Sequence, residues 1–236
     1  MFPVACALVL LAGIVRGFSG FGAALVMVPG LTMVYGARSA VPMAMIIDWI
    51  AVLQLLPVAY RHAERATVWP LGLAAVASLP IGSMILVSVE PEAMKTAIGI
   101  VVLVFVGIMS LGWRYRGRPS KIAAAAAGVV GGILNGATGM GGPPAILFYL
   151  SGERDARVAR ASLAGVFAVT TTAGLITFVL LGLIDGPLLL KAAFLAPTFM
   201  IGVWLGGRCF GRAAEKVYRR AAMVILTLIA ISALLN

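Results

Sequence analysis

Gly17-Phe18-Ser19-Gly20-Phe21-Gly22 interrupts an apolar run that extends over residues 4–35. A second stretch, Gly136-Ala137-Thr138-Gly139-Met140-Gly141, interrupts another apolar run over 122–150, about half a chain later. How these two interruptions are read decides the fold. A membrane-spanning helix needs about 20 apolar residues. The run over 4–35 is too long for one such helix and too short for two with a loop between them. Glycine permits backbone shapes that a helix does not. Each flank of the first interruption is about 13 residues, roughly 20 Å of helix at 1.5 Å per residue. Such a leg passes the bilayer midplane without crossing. The pattern predicts a re-entrant helical hairpin or one strongly broken span.

Composition places both runs in a membrane. Of 236 residues, 62% are hydrophobic and 11% charged, with a mean hydropathy of +1.09. Soluble domains are about half apolar and a quarter charged. No polar stretch is long enough for a soluble domain. No Lys or Arg precedes the first apolar run, so the start does not read as a secretory signal. The net charge of +10 is assigned to loops, where basic residues orient a membrane protein and contact anionic headgroups. The expected partners are therefore the lipid bilayer and a small anionic substrate, with no nucleic acid; a homo-oligomer is compatible with the pattern. Cys6 and Cys209 lack metal-like spacing and read as small apolar residues. No cofactor, metal or catalytic residue is expected.

Further spans are predicted over 40–60, 69–89, 93–113, 158–181, 187–206 and 216–235. Trp69 marks an interface, and Glu90-Pro91-Glu92 marks a turn with a helix start, where proline is tolerated. The basic loop 114–121 divides the chain. Residues 1–116 read as the first membrane repeat and 117–236 as the second, within a single integral membrane domain. A shift of 119 residues aligns Gly13 to Gly22 with Gly132 to Gly141, with five of ten positions identical: Gly13, Ile14, Gly17, Gly20 and Gly22. Ser19 and Thr138 form a hydroxyl pair in that alignment.

Charge decides the topology. With both broken runs counted as full spans, the Lys and Arg residues divide 7 to 10 between the two sides. With both runs re-entrant, one side keeps only Arg38, Lys95 and Lys191, while the other collects 14. Cytoplasmic loops are enriched in Lys and Arg, so the second arrangement is expected, with basic loops cytoplasmic and both termini outside. Each half is then one hairpin plus three transmembrane helices, about eight membrane segments in all. Three crossings invert the second half relative to the first, as in many secondary transporters. The fold class expected is an all-α membrane protein of two inverted repeats in the cell inner (cytoplasmic) membrane.

Irregular backbone at membrane depth persists where it is buried in protein or lines a watery cavity. Inversion would bring the two tips face to face. Each tip precedes a new half-helix, whose N-terminus carries about +0.5 charge and unpaired N–H groups, a setting for an anion. The substrate-binding residues expected are Arg16, Gly17, Ser19, Gly20, Phe21 and Gly22 at the first tip. At the second they are Asn135, Gly136, Thr138, Gly139, Met140 and Gly141. Arg16 adds a full positive charge, and Asn135, its counterpart, a neutral donor. The plain alternative for the glycines is close packing of membrane helices.

Asp48 is the acidic residue near the middle of a span, where ionisable groups are costly. Three roles stay open for it: a partner for Arg16, a coupling proton carrier, or a local hydrogen-bonding group. Gln54, Trp49 and Trp204 are candidate cavity residues, and Thr170-Thr171-Thr172 could supply hydroxyls, although such residues often bond their own helix. Gly17-Phe18-Ser19-Gly20 also resembles the Gly-x-Ser-Gly pattern of rhomboid-type intramembrane proteases. That chemistry needs a base beside the serine, and the lone histidine, His62, lies in a basic loop. No Walker-type phosphate loop is present. The chain is read as no enzyme.

Across Gly13 to Pro29 and Gly131 to Ala145 the chain resembles the TauE/SafE family of membrane permeases, and the two-half plan extends that likeness over nearly the whole length. Gly139-Met140-Gly141-Gly142-Pro143-Pro144 fits the family's glycine-rich tip closely, whereas Gly22-Ala23-Ala24 stands where further glycines are usual. The resemblance implies transport of small sulfur-containing anions such as sulfite, sulfoacetate or other organosulfonates. The reading is a secondary transporter working by alternating access. An anion channel using both tips as a filter is the alternative, and a non-transporting membrane subunit a weaker one.

Overall fold

The computed structural model describes residues 2–19, 22–110, 120–149 and 155–208, with side chains at 18, 19, 55, 58, 109, 110 and 156 left aside. Gly20, Phe21, Cys209, most of the loop between the halves and the span expected over 216–235 lie outside the described residues. Among the described residues every regular element is an α-helix, and there is no strand. The elements in chain order are α1 (Phe2–Ser19), α2 (Ala23–Tyr35), α3 (Ala37–His62), α4 (Arg65–Ser88), α5 (Pro91–Ser110), α6 (Lys121–Thr138), α7 (Gly142–Tyr149), α8 (Ala156–Leu180) and α9 (Gly186–Arg208). Six of them, α3, α4, α5, α6, α8 and α9, contain stretches long and apolar enough to cross a membrane. Exposed Leu73, Ile81 and Met84 on α4, and Phe194 and Ile201 on α9, suit faces turned to lipid.

Both apolar runs break where glycine was expected to break them, but later in the motif. α1 continues through Gly17 to Ser19, and α6 through Gly136 to Thr138. Gly22 (φ 89°) and Gly139 (φ 68°) then adopt left-handed backbone, which a side chain would disfavour. After each break the chain folds back. A Cβ on Gly30 of α2 would lie 2.9 Å from Leu8 of α1. One on Gly131 of α6 would lie 3.9 Å from Pro144 of α7. Continuous helices would hold those pairs tens of ångströms apart, or nearly so, at 1.5 Å per residue.

The chain divides into two compact units, and each takes segments from both halves of the sequence. The first comprises residues 1–47, 89–113 and 185–236, and the second residues 48–88 and 114–184. In the first unit α1 packs on α9 and on α2, and α2 on α5. α2 is its centre: Ala23 and every residue from Leu25 to Thr32 are buried. In the second unit α4 packs on α6 and α8, while α7 packs between α6 and α8.

Small residues form the two main helix contacts. In the first unit, a Cβ on Gly13 would strike the carbonyl oxygen of Phe199, and one on Gly17 that of Val203. From the other side, Gly202 meets the carbonyl of Leu10 and Gly206 that of Ile14. In the second unit, Gly132 meets the carbonyl of Ala75, Gly136 that of Leu79, and Gly82 that of Ile133. Ser78 takes the remaining place and donates its hydroxyl to Val129 O at 2.9 Å. The contacts advance together along both chains, so α1 runs parallel to α9, and α6 to α4. Backbones approach this closely only where side chains are absent or tiny.

Candidate functional site

The second tip is fully described. α6 ends at Thr138, and Gly139 N–H donates to Asn135 O at 2.8 Å, closing the helix with a left-handed glycine cap. Thr138 donates its hydroxyl to Leu134 O at 2.7 Å and accepts from Met140 N–H at 3.3 Å. Its one proton is therefore spent on its own helix, and the residue acts here as a cap. Met140 is buried beneath the tip.

Asn135 lies one turn earlier and is only 8% exposed. Its Nδ2 has no hydrogen-bond partner among the described residues. A buried amide donor left unmet costs roughly 1–3 kcal/mol. Gly141 fixes where that amide sits. A Cβ there would fall 2.5 Å from Asn135 Cβ, 2.5 Å from Gly131 O and 3.0 Å from Asn135 Cγ. The amide thus lies against the strand of backbone that opens α7. Pro143 and Pro144 in the first turn of α7 carry no N–H, which leaves that helix start with fewer donors than an ordinary one.

The first tip is built differently. Arg16 stands in the last turn of α1, where a positive charge complements the helix C-terminus. It is 5% exposed and engaged in an interaction within the fold. Gly22 is the N-cap of α2 and has no side chain to offer its first turn. Ala23, Ala24 and Leu25 all carry N–H groups there, and Ala23 and Leu25 are buried. This end has the full donor set that prolines remove from α7. Gly17 and Gly136 do not sit at the tips; both are contact points with partner helices. Ser19 closes α1, and Gly20 and Phe21 fall outside the described residues.

The remaining candidates separate. Asp48 is half-buried within α3 and engaged within the fold. Trp49 Nε1–H donates to Thr172 Oγ1 at 3.1 Å, tying α3 to α8. Thr170 donates to Val166 O at 3.0 Å, the own-helix bond expected of it. Gln54 is exposed. Trp204 is also exposed, and the Arg208 guanidinium lies 4.0 Å from its ring centroid, an arrangement suited to a membrane interface. Sequence reasoning missed Ser78 as the hydroxyl in the glycine contact, and Tyr149, Thr67 and Glu64, which join the far end of α7 to α4.

With helices as the regular elements, two folded-back breaks at glycine and six apolar helices of spanning length among the described residues, the chain is a multi-pass membrane protein. The chain matches the family described as "Sulfite exporter TauE/SafE" over residues 5–233, and it belongs to that family. Among curated proteins it is similar to the "Probable sulfite/organosulfonate exporter TauE" of Cupriavidus necator, with 24% identity over 221 residues, covering 88% of this chain and 84% of that protein. No solved structure matches the chain.

Proposed function

We propose that the protein is a secondary transporter that carries small sulfur oxyanions, such as sulfite, sulfoacetate or other organosulfonates, across the cytoplasmic membrane by alternating access. The observation that carries this reading is the family match along nearly the whole chain, and the relative's printed name supplies the substrate class. Arg16 provides charge at the first tip, with Ser19, Gly20, Phe21, Gly22 and the opening N–H groups of α2. Asn135 provides an amide donor at the second, with Gly139, Met140 and Gly141. Gly17, Gly136 and Thr138 hold these groups in place. Asp48 takes the coupling or ion-pairing role of a mid-span acid.

The halves 1–116 and 117–236 are read as inverted repeats, each with a re-entrant hairpin and three crossings. The folded-back legs support the hairpins, and the odd number of crossings supports the inversion. The basic loops then face the cytoplasm, and both termini face outward. Cysteine labelling at Glu90 and at Arg116 tests this directly: reaction of both from the same side would end the inverted arrangement.

The function is tested in proteoliposomes with labelled sulfite. A transporter gives saturable uptake that unlabelled sulfite on the far side accelerates. Flux that rises linearly without counterflow would identify a channel, and no flux would identify a non-transporting subunit.

A further inference from the structure

The described part of α7 has eight residues, fewer than a helix needs to persist alone. Its place must be imposed by its neighbours. At its start, Gly142 packs on α8, where an added Cβ would lie 3.4 Å from the Phe167 ring. At its far end stands Tyr149, 1% exposed. Tyr149 OH lies 3.2 Å from Thr67 Oγ1, and Thr67 Oγ1 lies 2.9 Å from Glu64 Oε2. A threonine hydroxyl has one proton. Given to the carboxylate, it leaves Thr67 to accept from Tyr149, so the chain runs from Tyr149 O–H to Thr67 O–H to Glu64. Glu64 N–H in turn donates to Ser162 Oγ at 2.9 Å, and Ser162 is fully buried on α8. Donation that ends on a carboxylate is stronger than between neutral groups.

We propose that Tyr149, Thr67 and Glu64 form a latch that sets the seat of the second tip, which makes Tyr149 a positioning residue for anion recognition. The inference rests on the reading that this tip contacts the substrate. The latch grips one end of a rigid element about 12 Å long at 1.5 Å per residue. The other end carries Gly141 and the Asn135 amide packed on it. Slackening the far end displaces the backbone that Asn135 lies against. The latch residues themselves never touch the anion. Their removal therefore weakens recognition while the amide is still present.

Transport kinetics with sulfite in proteoliposomes test this on the full chain. Tyr149→Phe and Thr67→Val each raise the apparent KM about fivefold, the scale of one hydrogen bond, with the maximal rate within about twofold. Thr67→Ser, which keeps the hydroxyl, behaves as the parent. A KM unchanged in both Tyr149→Phe and Thr67→Val overturns the latch, as does a Thr67→Ser variant as impaired as Thr67→Val. If Tyr149→Phe fails to fold, the Thr67 pair decides alone. Asn135→Ala is measured beside them. An unchanged KM there ends the reading of the tip itself, whereas a raised KM there with unaffected latch variants removes only the latch.

Discussion

The contact of α1 with α9 and that of α6 with α4 repeat each other point by point. Gly13 and Gly17 correspond to Gly132 and Gly136 with an offset of 119 residues, while Phe199 and Val203 correspond to Ala75 and Leu79 with an offset of 124. Gly206 matches Gly82 at the same offset, and Gly202 matches Ser78. The tips that these contacts support do not repeat. Arg16 stands opposite Asn135 in the alignment, and α2 keeps the N–H groups that Pro143 and Pro144 take from α7. Packing between backbones tolerates no added atom, so it holds the same register in both places. Under the proposed function the tips face substrate rather than a partner helix, so their chemistry is free to differ. One scaffold, used twice, carries a charged end and a neutral end.

The comparison is broken most severely at the glycines. Gly13→Val and Gly132→Val each force a side chain into a carbonyl and should cost about 3 kcal/mol or more, read as lost monodisperse protein and a lower Tm in detergent. Equal damage at both positions is expected, and tolerance at only one would end the equivalence of the two contacts. Gly141→Ala acts next. Its methyl group displaces Asn135, and sulfite affinity should fall at least fivefold, with a stability cost of about 1–3 kcal/mol; calorimetric titration and thermal unfolding separate the two. Ser78→Gly is the mildest change. It makes the second contact resemble the first and removes one hydrogen bond, a loss of about 1 kcal/mol, visible only as a small shift in Tm.

Hydropathy was enough to find the helices among the described residues, because a span needs a fixed length of apolar chain. The start of α5 at Pro91 and the breaks near Gly22 and Gly139 follow from local backbone rules. The roles of individual glycines did not follow. Gly17 and Gly139 lie in the same kind of motif, yet one packs against a helix and the other turns the chain. Sequence offers the same residue for both tasks, and only the position of the partner helix separates them. That partner was hidden because α1 packs on a helix from the opposite half, and no local pattern records such an exchange. The hydroxyl of Thr138 looked available as a donor, but the helix end beside it takes the proton first. The poverty of donors at α7 was legible all along in Pro143-Pro144, which at first signal only a helix start.

Sulfite binding to the purified protein and to Arg16→Ala, Asn135→Ala and Arg116→Ala is the most direct test of unequal tips on an equal scaffold. Removal of the buried charge should raise the Kd more than tenfold and removal of the neutral amide about fivefold, while Arg116→Ala should bind as the parent. Affinities unchanged by loss of Arg16 and Asn135, or lowered equally by all three substitutions, would contradict the account.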